Sequence, residues 1–220
     1  MTPRRHLLQA GAVAALLGPA ARAQNWQEGR HYKRLAQPVP GPAGQVELVE
    51  FFWYGCPLCY AFEPALKSWL AQLPAWVAFR HQHLFLREIS RPHQRLFFTL
   101  QAMGVESRFR AAISAALHEQ RIALDTPEQM IKLLQPLGLD AAAFSRSWAA
   151  FEPKAFSAAR IDNANRQAAQ AYQVHGVPTL AVGGRFLVSV SEAAERRNES
   201  PIGASALRLT EHLLTSLRPA

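Results

Sequence analysis

The sequence predicts an α/β fold, with a mixed sheet flanked by helices and an all-helical block inserted midway. Three observations predict it. A strand, a helix and a second strand follow one another between Gln45 and Leu86. Helical periodicity then fills every segment from about Ser90 to Phe151. Two short strands around Gly183 and Gly184 return the chain to a sheet before a last amphipathic helix.

Taken in order, the first 23 of the 220 residues read as an export signal. Arg4 and Arg5 make a basic start, "LLQAGAVAALLGPA" an apolar middle, and "ARA" at Ala21 to Ala23 a small-residue cleavage site. The apolar run is short for a bilayer span, so cleavage after Ala23 is expected, leaving a soluble exported chain. "RRHLLQ" also hints at the twin-arginine route. Loss of Arg4, Arg5 and Arg22 leaves 21 basic against 16 acidic residues, a formal charge of +5. The basic residues are scattered rather than interleaved with aromatics, which argues against nucleic acid as a partner.

The Pro/Gly loop "PVPGPAG" precedes "QVELVEFFW", whose β-branched and aromatic residues read as a buried strand. Past Cys56, apolar residues at Phe62, Leu66, Trp69, Leu70 and Leu73 take helical spacing. Pro57 near the start suits a helix N-terminus, whereas Pro64 inside it predicts a kink. "WVAFRHQHLFL" is a second strand, and the unit favours a parallel crossover. Met130, Leu133, Leu134 and Leu137 form one helical stripe. Phe144, Trp148 and Phe151 form another, with Gly138 and Asp140 marking a stop and a fresh start between them. "DTPEQ" opens a further helix, a long one is expected from about Pro153 to Tyr172, and "VPTLAVGGRFLVS" reads as a hairpin. The expected division is residues 1–23 as signal, 24–89 and 152–220 as two parts of the α/β unit, and 90–151 as the helical insertion.

Cys56 and Cys59 are the only cysteines. In an oxidising compartment a close pair tends to form a disulfide. A bridge over a two-residue gap removes little entropy from the unfolded chain, and a chain of this length needs no staple, so a purely structural role is a poor use of the pair. At a strand-to-helix junction the first sulfur lies beside unpaired backbone N–H groups, which favour a thiolate at Cys56; Cys59, one turn further in, is the more buried member. Such a pair exchanges disulfides through a mixed disulfide at Cys56. The competing uses are weaker. Zinc would need His81 and His83 as further ligands without a second paired motif, and c-type haem would need histidine where Tyr60 stands.

A second motif, "HGVPTL", places Pro178 at the opening of a strand; whether Val177–Pro178 is cis is not readable from the residues. His93 and His118 fall among charged residues on helices and receive no role, and His175 lies near the proline loop. Trp69, Phe97, Phe98, Phe144, Trp148 and Phe156 fit core spacing, whereas Trp53 and Leu58 are candidates for apolar surface beside Cys56.

The combination of "EFFWYGCPLCYAFEPAL", the helical insertion and "GVPTLAVGGRF" resembles the DsbA family of periplasmic thiol:disulfide oxidoreductases, over nearly all of the chain after the signal. The resemblance implies a thioredoxin-like fold, periplasmic localisation and a dithiol oxidase with no cofactor and no metal. It implies Cys56 as nucleophile, Cys59 as its partner, and Pro57 with Leu58 as the dipeptide that tunes them. Val177 and Pro178 would form a cis-proline loop that meets extended substrate peptides. Glu50 matches a buried acid that relays a proton for Cys59. On periodicity alone Glu50 is equally a surface carboxylate on an edge strand, and Arg80 is its expected ion-pair partner. The implied partners are reduced, newly exported proteins and a quinone-linked membrane oxidase of the DsbB type, with the chain a monomer. One departure stands out: where the family commonly has histidine, this chain has Leu58, which cannot donate to a thiolate at Cys56. That leaves room for a less oxidising reductase or isomerase. A non-catalytic periplasmic chaperone or metal carrier is the alternative from another class.

Overall fold

The computed structural model describes residues 25–150, 170–194 and 198–219. The signal segment and nearly all of the helix expected from Pro153 to Tyr172, with Phe151 and Phe156, lie outside these residues. The last three residues of that stretch, 170–172, are helical.

Among the described residues, five strands form one mixed sheet: β1 (Lys33–Arg34), β2 (Val46–Phe52), β3 (Val77–His83), β4 (Thr179–Val182) and β5 (Phe186–Ser189), in the order β1-β5-β4-β2-β3. The pair β2 and β3 is parallel and the other pairings are antiparallel. The parallel pair is joined by helix α1 (Pro57–Leu70), the crossover expected from the strand-helix-strand pattern. Pro64 lies within α1 and does not end it. Between β3 and β4 come α2 (Arg91–Ala102), α3 (Glu106–His118), α4 (Pro127–Leu134) and α5 (Ala141–Ala150). The chain closes with the single turn α6 (Val190–Ala193) and helix α7 (Ala204–Ser216).

Local chemistry accounts for the boundaries. Thr126 caps α4 by accepting from the Gln129 N–H, and the Gln129 side chain accepts from the Asp125 N–H in return. Gly138 takes φ +92° and Asp140 Oδ1 accepts from the Ala143 N–H, the expected stop and restart. In the hairpin, whose connection is residues 183–185, Gly183 and Gly184 both have positive φ, as the two central residues of a primed turn closed by the Arg185 N–H on the Val182 carbonyl require. A side chain at Gly184 would also strike the Val39 carbonyl oxygen, 1.9 Å from the position of its Cβ.

Three apolar clusters meet at β2. Val46 and Leu48 pack with Phe62 and Leu66 of α1 and Leu209 and Leu213 of α7. Val49 and Phe51, on the opposite face, pack with Leu84, Tyr172 and Ala181. Phe52, Tyr54, Cys56 and Cys59 belong to the third cluster, whose other members, among them Leu96, Phe97, Phe109 and Ile113, come from the helical block. The cysteines thus sit where sheet and helical block join.

Candidate active site

Cys56 is the N-cap of α1. Its extended backbone (φ −84°, ψ 115°) turns the side chain back over the first helical turn, where Sγ accepts from the Cys59 N–H at 3.4 Å. Pro57 follows in the first turn, where its missing N–H costs nothing. Both cysteines are free thiols and both are buried. The Cys56 thiol is pulled down to about 6, first by its hydrogen bond with the Cys59 side chain and then by the backbone N–H groups of Cys59 and Leu58; burial and the Glu50 carboxylate oppose the shift. Burial, and then the neighbouring Cys56 sulfur, push Cys59 up. The pair is therefore asymmetric in the sense expected from its place at a helix N-terminus.

Across from the cysteines, the Val177–Pro178 peptide is cis. The Val177 carbonyl oxygen lies 3.6 Å from Cys56 Sγ, and Thr179 Oγ1 donates to the Gly176 carbonyl within the same loop. Leu58 and Trp53 are half-buried beside the pair. Leu58 also lines a groove of about 320 Å³ with Val190, Ala194, Ile202 and Gly203.

Glu50 is not on an edge. β2 runs between β4 and β3, and the Glu50 side chain is 1 % exposed. Burial, partly offset by Arg110 and reinforced by Glu106, raises its carboxyl to about 7. Its expected pairing with Arg80 is corrected: Arg80 Nε binds Glu47 Oε1 at 2.7 Å, and the residue opposite Glu50 in the parallel register is His81, whose Nε2 is 3.2 Å from Glu50 Oε2. Strand alternation explains the difference, because Arg80 lies opposite Val49 and shares the face of Glu47. His81 is held down to about 4 by burial and by Arg110. His83 is fully buried and held well below its ordinary value, first by burial and then by His93. It packs against Phe52, Tyr54 and Phe97 and not on the thiols, so the arrangement considered for zinc, with His81 and His83 completing a cysteine pair, does not form.

Two histidines left without a role are placed against the loop that carries the cysteines. Trp53 Nε1 donates to His93 Nδ1 at 3.0 Å, and His93 Nε2 lies 2.7 Å from the Ala123 carbonyl, which makes it the protonated ring nitrogen. His118 Nε2 meets the Tyr54 carbonyl at 2.8 Å, its ring stacks on Tyr60 at 4.6 Å, and the Tyr60 hydroxyl donates to the Glu119 carboxylate. The helical block therefore holds both flanks of the cysteine loop. No periodic signal marks these contacts, which join residues 40 and 64 positions apart.

With this geometry in place, the comparisons with known proteins agree. Residues 89–196 match the family described as the DSBA-like thioredoxin domain, a span that begins after the cysteines. The thiol:disulfide interchange protein DsbA of Pseudomonas aeruginosa is 36% identical over 210 residues, covering 95% of this chain and 94% of the relative, and so includes the cysteine pair. That of Azotobacter vinelandii is 35% identical over 215 residues, 97% of this chain and 93% of its own. The crystal structure of Pseudomonas aeruginosa DsbA superposes with a TM-score of 0.77 at 34% identity, over 89% of this chain and 96% of that one.

Proposed function

Since the chain belongs to the DsbA family, and is thereby a thiol:disulfide oxidoreductase acting on substrate proteins by thiol exchange, we propose that it works as an exported dithiol oxidase of the periplasm. The observation that carries the reading is the position of Cys56: a sulfur at a helix N-cap, held by N–H donors, 3.6 Å from the carbonyl of a proline loop.

In the oxidised enzyme a substrate thiolate attacks Cys56 Sγ. A mixed disulfide forms and the Cys56–Cys59 bond breaks, with its electron pair going to Cys59. Cys59, whose burial disfavours charge, takes up a proton, and Glu50, with a carboxyl near neutrality, is the group assigned to supply it. A second substrate thiolate then attacks the substrate sulfur of the mixed disulfide and expels Cys56 as a thiolate. The substrate gains one disulfide and the enzyme keeps two electrons. Pro57 and Leu58 set the environment of the leaving thiolate. Val177 and Pro178 offer backbone groups to an extended peptide, a contact that tolerates many sequences. The groove beside Leu58 suits apolar segments of unfolded chains. Reoxidation falls to a quinone-linked membrane oxidase of the DsbB type, and the enzyme acts as a monomer.

Equilibration against glutathione redox buffers, with thiol trapping, tests the oxidase direction. A pair more oxidising than glutathione supports it; a strongly reducing pair makes the protein a reductase. That second reading rests on Leu58, whose side chain offers the Cys56 thiolate no donor. A Cys56→Ser protein that still suppresses aggregation at full strength would favour a chaperone.

A further inference from the structure

We infer that Glu50, Glu63 and His81 form a binding site for a divalent transition ion of the Zn²⁺ class, separate from the thiols. Glu50 and His81 face each other across the parallel β2 and β3 pair, and Glu63 reaches the same point from α1, one turn beyond Cys59. One ligand atom from each lies within 4.8 Å of the other two. An ion about 2.1 Å from each ligand holds any two of them no more than about 4.2 Å apart. In a tetrahedral site such ligand atoms lie about 3.4 Å apart, so the Glu50 and His81 atoms at 3.2 Å already fit and the widest pair has to close by up to about 1.4 Å. One imidazole and two carboxylates are a donor set that suits Zn²⁺, with the remaining position left to water.

A second observation points to a ligand here. The Glu50 side chain is 1 % exposed, yet neither of its carboxylate oxygens has a hydrogen-bond partner, and His81 Nε2 has none either despite its 3.2 Å approach. Buried polar atoms are rarely left this way, and one cation would satisfy all three. The Arg110 guanidinium pairs with Glu106 Oε1 at 2.9 Å and lies 4.2 Å over the Phe52 ring, so it is held beside the cluster by other partners. Burial raises the Glu50 and Glu63 carboxyls, so an ion here competes with the protons they otherwise hold, including the one assigned to Cys59. The half-buried side chains of Glu63 and His81 leave a way in from solvent.

The test uses the protein in its disulfide form, so that Cys56 and Cys59 are not available as ligands. After removal of metals with EDTA and dialysis, Zn²⁺ is titrated by calorimetry, and Co²⁺ is added in parallel to read the coordination from its absorption spectrum. One equivalent of Zn²⁺ is expected, with a Co²⁺ spectrum of low coordination number. His81→Ala and Glu63→Gln should each weaken Zn²⁺ binding by at least about ten-fold, since loss of a ligand costs no less than loss of an outer-shell partner. His212→Ala, at an exposed position on α7, should leave it unchanged. Thermal melts confirm folding, and if His81→Ala fails to fold, Glu63→Gln carries the comparison. Absence of stoichiometric uptake by the disulfide form, uptake that requires reduced thiols, or an affinity unmoved by both substitutions would overturn the inference.

Discussion

Along one face of the parallel β2 and β3 pair, Val46, Leu48, Val77 and Phe79 belong to an apolar core, while farther along the same face stand titratable groups, the buried Glu50 and His83 and the half-buried His81. The two halves share register, strand geometry and a covering helix. They differ in what α1 brings to them: Phe62 and Leu66 over the first half, Cys59 and Glu63 near the second. The apolar half stabilises the fold, since burying each large side chain contributes roughly 1.5–3 kcal/mol. The titratable half does the opposite, because each buried ionisable group is held away from its preferred charge state. That half lies toward the C-terminal end of β2, next to the cysteines. The comparison suggests that stability is gained in one half and surrendered in the other, where the chemistry of thiol exchange uses it.

The largest effect that sharpens the contrast is at the reacting sulfur itself. Cys56→Ser should lower the rate of oxidation of a reduced protein substrate by at least about 10³-fold while leaving the thermal melt close to that of the parent, because serine lacks the nucleophilic sulfur yet has similar size and can still cap α1. In the apolar half, Leu48→Ala should destabilise by about 2–5 kcal/mol at every pH and leave the Cys56 thiolate titration in place, since Leu48 is fully buried among aliphatic neighbours. Denaturant unfolding alongside a thiolate titration checks both parts.

Glu50→Gln should have the reverse sign and a pH dependence. The Glu50 carboxyl is raised from 4.5 to about 7, so between those values the folded state binds more protons than the unfolded state and stability falls as pH rises. The cost is complete above about pH 7 and absent below about 4.5, and it is on the order of 3 kcal/mol. The glutamine variant, measured with EDTA present, should match the parent at pH 4 and exceed it at pH 8. Equal stability at both pH values would place Glu50 in a less demanding environment than its burial implies. The smallest effect is expected at Leu58. Leu58→His should make the pair more oxidising by roughly ten-fold in the glutathione equilibrium, about 30 mV, by giving the Cys56 thiolate a neighbouring donor.

Much of the apolar half was legible in the sequence. The strands around Leu48 and Phe79, the crossover helix with Phe62 and Leu66, and the Gly183-Gly184 hairpin all follow from local periodicity and turn chemistry, which report on neighbours a few residues away. The cysteine pair was legible too, because Cys-x-x-Cys at a strand-to-helix junction is a local pattern with a defined electrostatic consequence. The titratable half was not. Whether Glu50 faces Arg80 or His81 depends on the register of two strands whose paired residues are 31 positions apart, and a shift of one residue moves every side chain to the other face. Glu63 reads as one more polar position on a helix that also carries Lys67 and Ser68. His93 and His118 reach the cysteine loop from separate helices, and nothing in their local sequence marks a long-range hydrogen bond.

The most direct test of the account follows the ultraviolet absorbance of the Cys56 thiolate against pH in the reduced protein, with Cys56→Ser as the blank. The account predicts a single thiolate forming with a midpoint near 6, set by the helix N-terminus and the Cys59 side chain, while Cys59 stays protonated throughout the neutral range. A midpoint at the ordinary thiol value near 9, or two thiols ionising together, would contradict it.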